Sequence, residues 1–135
     1  MKHLIFNMML MVIAGILTGC VSGSLKTEKV RELTFVVLEE DEVPEELMGQ
    51  IEKKKEKAFR MSYEDGGILY ISEGYGRQQN AGCHVEAEEV YETENAVCLH
   101  THLMGPEKEE ESEKGEMFPY IVVAVEAIGK PVVFD

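Results

Sequence analysis

The sequence predicts an α+β protein dominated by β-structure, with about six mostly antiparallel strands in a small sheet, a sandwich or a partly open barrel, and one amphipathic helix. Three observations predict it. Short runs rich in Val, Ile, Leu and Tyr recur between turn signals. One segment alone carries apolar residues at helical spacing. After that segment no stretch is long enough for a helical crossover, so successive strands return antiparallel. The chain has 135 residues, which bounds it to one domain.

The first twenty residues stand apart from that domain. Lys2 precedes an apolar run from Leu4 to Leu17, broken only by Asn7 and Gly15, which is the pattern of a secretory signal and is too short for a span of roughly 20 residues. The run ends in Leu17-Thr18-Gly19-Cys20, which resembles a bacterial lipobox. The resemblance implies cleavage before Cys20, diacylation of its sulfur, and a cell-membrane anchor on the extracytoplasmic face. Two or more acyl chains hold a protein stably where one holds it only reversibly. The organisation expected is a signal peptide over 1–19, a flexible tether over 20–32 that includes Ser22, Gly23 and Ser24, and a folded domain over 33–135.

Charge sets the partners. Asp and Glu number 26 against 13 Lys and Arg, a net charge of −13, so the basic surface of a nucleic-acid binder is missing. The 44% of hydrophobic residues sets the chain apart from disordered polyelectrolytes. Losing residues 1–19 removes Lys2 and no acid, leaving a still more acidic body that anionic headgroups repel, so the lipid tethers while the domain stands off.

The elements follow in order. Leu33 to Leu38 reads as the first strand, bounded by the acids of Glu39 to Glu42. Residues 44–58 read as the helix: Pro44 suits its first turn, Leu47, Met48, Ile51, Lys55, Ala58 and Phe59 fall near helical spacing, and acids at its start and lysines at its end oppose the macrodipole. Glu64-Asp65-Gly66-Gly67 is a turn, and Ile68 to Ile71 a strand ending at Gly74. Gly74 to Gly82 reads as a glycine-rich loop. Cys83–Tyr91 and Ala96–Met104 are two alternating strands joined at Glu92–Asn95. The run from Glu107 to Glu116 has no apolar residue and reads as a solvated loop. Ile121 to Val125 is apolar enough to be covered on both faces, and Val132-Val133-Phe134 closes the protein.

In the central hairpin, Val85 and Ala87 alternate against His84, Glu86 and Glu88, while Val97, Leu99, Thr101 and Leu103 alternate against Cys98, His100 and His102. Keeping apolar beside apolar predicts Val85 opposite Thr101, Ala87 opposite Leu99, His84 opposite His102 and Glu86 opposite His100, with either an odd-length turn or a bulge near Glu89-Val90. This register sets Cys83 on the inner face and Cys98 with Glu88 on the outer one, too far apart to bridge. Cys83 is then expected as a small buried hydrophobe and Cys98 as a free, half-exposed thiol.

Ser72-Glu73-Gly74-Tyr75-Gly76, the loop through Ala81-Gly82, the alternation from Val85 to Val90, Leu103-Met104-Gly105-Pro106 and Phe118-Pro119-Tyr120-Ile121-Val122-Val123 resemble the C-terminal domain of the PrcB family of protease-complex subunits. The similarity runs over roughly residues 33–135. The chain departs from the family pattern at Gln79-Asn80-Ala81-Gly82-Cys83, where the family has Pro-Thr-Gly-Gly-Tyr. The resemblance implies a small β-rich lipoprotein domain that helps an exported protease assemble or persist, with no catalysis and no cofactor of its own.

Two constellations carry candidate chemistry. Tyr75, Gly76, Arg77 and Gln78 of the glycine loop, with Tyr120 beside Pro119, are candidates for a surface that meets a protein partner. His84, His100 and His102 cluster on the outer hairpin face near Cys98 and Glu86, a set suited to Zn²⁺. The plainer reading of that face is ordinary polar alternation with cross-strand Glu–His pairs. Cys98 and His100 project in parallel with no third group to orient them, and no nucleophile-elbow, zinc-protease or phosphate-loop pattern occurs. The expectation is a non-enzymatic, lipid-anchored interaction domain; a small-ligand or metal-binding envelope lipoprotein is the alternative.

Overall fold

A computed structural model describes residues 28–106 and 114–135. Residues 1–19, expected as a signal peptide, Cys20, most of the expected tether and the acidic stretch 107–113 lie outside the described residues. The chain runs β1 (Lys29–Glu32), β2 (Val36–Val37), α1 (Glu45–Lys54), β3 (Ala58–Asp65), β4 (Ile68–Tyr75), β5 (Gln78–Asn80), β6 (His84–Thr93), β7 (Val97–Met104), β8 (Lys114–Met117), β9 (Tyr120–Glu126) and β10 (Val132–Phe134). It is α+β and β-dominated as the sequence predicts, with ten strands among the described residues where about six are expected.

The strands form two four-stranded sheets, ordered β1-β6-β7-β10 and β2-β9-β4-β3, and a small ribbon, β5-β8. Neither sheet closes into a barrel. Among the described pairings only β10 with β7 is parallel. The two large sheets face each other. Leu69 and Ile71 of β4 and Ile121, Val123 and Val125 of β9 meet Val90 of β6 and Val97 and Leu99 of β7 in one buried cluster. A second cluster lies on the far side of β9, where Val43, Leu47 and Ile51 pack on Phe59 and Val122. The order of layers is therefore helix, sheet, sheet. Burying Leu47 and Ile51 contributes about 1.5–3 kcal/mol each, more than a ten-residue helix gains from propensity.

Several expectations about elements are corrected. Leu33–Leu38 is not one strand: Leu33 N–H donates to Val90 O and Leu38 N–H to Val122 O, so the segment leaves one sheet and joins the other. Lys29–Glu32, expected in the tether, pairs antiparallel with β6. The helix stops at Lys54 with Lys55 as its C-cap, because Ala58 and Phe59, read with it, begin β3. That strand has no counterpart among the predicted ones, since its alternating Phe59 and Met61 continue the helical spacing without a break. The turn at Gly66-Gly67 is as predicted. Both glycines hold positive φ, 58° and 81°, between the paired Asp65 and Ile68, as a two-residue hairpin requires. Gln78–Asn80 inside the expected loop and Lys114–Met117 at the end of the acidic run pair with each other.

The hairpin β6-β7 keeps the predicted faces and shifts the predicted pairs by two. His84 lies opposite Met104, Val85 opposite Leu103, Glu86 opposite His102 and Ala87 opposite Thr101. The register then slips at Glu88, so that Glu89 faces His100, Val90 faces Leu99 and Tyr91 faces Cys98. A bulge at Glu88 thus supplies the irregularity expected as an odd-length turn or a bulge near Glu89-Val90. It also reverses the two cysteines. Cys98 does face outward, yet Tyr91 and Ala96 cover it to 6% exposure, whereas Cys83 lies before β6 and is half-buried. Both thiols are free.

Candidate functional site

The glycine turn follows β4. Gly76 takes φ 73°, and a Cβ there would lie 2.9 Å from the Ala58 nitrogen, so the turn can approach the α1–β3 link only because the residue is glycine. Arg77 N–H donates to Glu56 O at 3.3 Å, and the Gln78 side-chain amide donates to Tyr75 O at 3.2 Å. Arg77 thereby joins the lysines that end α1. Its guanidinium and the Lys55 ammonium each stand 5.9 Å from the Phe118 ring centre. Lys53, Lys54 and Lys57 are exposed and line a shallow groove with Glu56, Ala58 and Phe59. Lys55 pairs with Glu52 and Arg77 loosely with Glu116, at 3.6 Å; no ion pair holds Lys53, Lys54 or Lys57 among the described residues.

The two tyrosines expected beside this surface turn inward. Tyr75 donates its hydroxyl to Thr101 Oγ1 at 2.6 Å. Thr101 in turn donates to Glu73 Oε1 at 2.6 Å, and Arg60 Nε donates to the other Glu73 oxygen at 2.8 Å. Glu73, 5% exposed, is thus satisfied on both oxygens. Tyr120 lies between α1 and its sheet, 6.5 Å from the Phe59 ring and with its hydroxyl toward Glu40. Burial, and then Glu40, push its phenol up to about 12. Of the five residues expected to meet a partner, Arg77 is exposed and Gly76 and Gln78 shape the turn that carries it.

The histidine face lies on the opposite side of the molecule's sheet pair, on the outer surface of β6-β7. His100 and His102, two apart on β7, place their rings edge to face with centres 4.7 Å apart. Glu88 reaches both, with Oε2 3.1 Å from His100 Nε2 and Oε1 2.6 Å from His102 Nε2. His84, expected as the third histidine of the set, instead stands 3.1 Å from Glu86. The donor atoms of Glu88, His100 and His102 all lie within 4.8 Å of one another. On the other side of the His100 ring, Nδ1 is 3.2 Å from the Asp135 backbone oxygen.

Sequence reasoning set Glu88 on the outer face without joining it to the histidines, because the bulge that aims it depends on pairing rather than on composition. Cys98 beside this face has its thiol pushed up by burial, away from the thiolate a nucleophile requires. No family model, curated protein or solved structure matches the chain.

Proposed function

We propose that the mature chain is a lipid-anchored, non-enzymatic envelope module, tethered through Cys20, that docks an exported protein partner through the basic surface of Lys53, Lys54, Lys57 and Arg77. The resemblance to PrcB-type domains makes an exported protease complex the first partner to test. The carrying observation is the contrast of charge. On a chain of net charge −13, the glycine turn closes against the α1–β3 link and gathers cations from two segments, three of them without an ion-pair partner among the described residues. Unpaired cations beside an exposed groove favour an acidic partner surface and speed its capture.

The test is co-purification after cross-linking in native membranes. The expected result is one exported protein recovered in stoichiometric amount, with recovery falling about tenfold for the double variant Lys54→Glu, Arg77→Glu and falling further as salt rises. No stoichiometric protein, or capture indifferent to the charge reversal, overturns the reading. Cys20→Ala is expected to release the chain from the membrane fraction, and retention of that variant in membranes overturns the anchor.

A further inference from the structure

We infer that Glu88, His100 and His102 form a site for a divalent transition metal, with Zn²⁺ the ion whose chemistry fits best. This inference uses other residues than the docking surface, on another face, and stands or falls separately from it.

The first argument is convergence. Three side chains from two strands gather their donor atoms within 4.8 Å of one another, two imidazole Nε2 atoms and a carboxylate whose oxygens stand 2.6 Å from His102 and 3.1 Å from His100. In a tetrahedral zinc site with bonds of about 2.0–2.1 Å, donors sit roughly 3.3–3.5 Å apart. A set already within 4.8 Å reaches that spacing by side-chain rotation, with no change in the sheet. Two imidazoles and one carboxylate are borderline ligands that suit Zn²⁺ and leave a fourth position for water or a ligand from outside.

The second argument counts protons. A neutral imidazole carries one N–H. His100 has an acceptor oxygen at each nitrogen, the Asp135 backbone oxygen at Nδ1 and Glu88 Oε2 at Nε2. The backbone oxygen and the Glu88 carboxylate both only accept, so the single proton of a neutral ring cannot serve both contacts. With that proton at Nδ1, Nε2 and the Glu88 carboxylate face each other as two lone-pair donors, an arrangement that a cation between them resolves.

The third argument is the support behind His100. Metal-binding histidines typically present one nitrogen to the ion and donate the other to a carbonyl or carboxylate, which fixes ring and tautomer. Asp135 supplies that acceptor and is itself held, its N–H donating to Leu99 O at 2.9 Å and its carboxylate accepting from Tyr91 OH at 2.9 Å. The site is half-exposed on an open sheet face, which suits an ion that is taken up and released rather than one that holds a core together.

The test is titration of the full-length protein in detergent micelles with Zn²⁺, and with Co²⁺ as a spectroscopic probe. The expected result is one ion per chain and a visible Co²⁺ spectrum of low-symmetry four-coordinate type, with affinity falling at least about tenfold in Glu88→Gln and in His102→Ala and unchanged in His84→Ala and Cys83→Ser. Far-ultraviolet circular dichroism of each variant reports whether it folds, and Glu88→Gln keeps shape and volume if His102→Ala does not fold. No stoichiometric binding overturns the inference; so does affinity unaffected by Glu88→Gln and His102→Ala, or affinity lost with His84 or Cys83 instead. Stoichiometric loading that moves with Glu88 and His102 supports it whether or not a protein partner is ever captured.

Discussion

β7 and β9 are both interior strands of four-stranded sheets, yet they spend their side chains differently. β9 sends Ile121, Val123 and Val125 into the core between the sheets and Val122 under the helix, so packing consumes both faces. β7 buries Val97, Leu99 and Thr101 on one face, while on the other Tyr91 and Ala96 cover Cys98, His100 is half-buried and His102 is exposed. The difference teaches where chemistry can sit in so small a fold: on the one sheet face that the helix does not cover. Substitutions on the two faces of β7, and on the two strands, should therefore separate cleanly.

The largest effect is expected from Leu99→Ala, which empties a fully buried position and costs about 2–5 kcal/mol, against less than about 1 kcal/mol for its outward neighbour His100→Ala in metal-free buffer. Urea unfolding of the two variants measures the gap, and equal losses would break the two-faced account. Next is Thr101→Val, inward between the histidines. It leaves Glu73 and Tyr75 without the hydroxyl they share and is expected to cost about 1–3 kcal/mol with an unchanged denaturant slope. Gly76→Ala should cost about 1–2 kcal/mol, since alanine must hold φ near 73° against the Ala58 backbone. It should also weaken partner capture without touching metal affinity.

Alkaline pH sharpens the comparison from the helix side. Tyr63 donates to Glu46 at 2.7 Å, and that bond holds its phenol up to about 12; Tyr120 reaches about 12 through burial. In the unfolded chain both titrate near 10. The folded state binds their protons more tightly, so its stability is kept below pH 10 and declines between 10 and about 12. Tyr120→Phe should make that decline shallower, as followed by circular dichroism. The smallest effect concerns the thiols: an alkylating reagent should modify Cys83 in the native protein and reach Cys98 only on unfolding.

Much of this arrangement is legible in the residues. The alternation of Val85 to Ala87 against Leu99 to Leu103 gives the correct faces, and the unbroken run of β9 announces a strand covered on both sides. Gly66-Gly67 marks its hairpin because positive φ there leaves a chemical trace. What cannot be read is pairing that depends on distant segments. β3 is hidden because Phe59 and Met61 extend the helical spacing of Leu47 and Ile51. β5 and β8 are polar and stabilise one another only once brought together. The reach of Glu88 to two histidines follows from a one-residue slip that leaves the face assignment intact while changing which side chains meet. Gly74 illustrates the same limit: within β4 its missing Cβ is the space filled by the Phe59 ring from the opposite strand.

The short crossing from Leu33 to Leu38 has a mechanical consequence. Its two ends are hydrogen-bonded to different sheets, and Leu33 and Phe35 are wedged between them, so the segment works as a latch across the sandwich. Prising the layers apart breaks both attachments together. The amides of Leu33 and Leu38 should therefore exchange with solvent deuterium at a common rate set by opening of the whole domain, despite their position beside two edge strands.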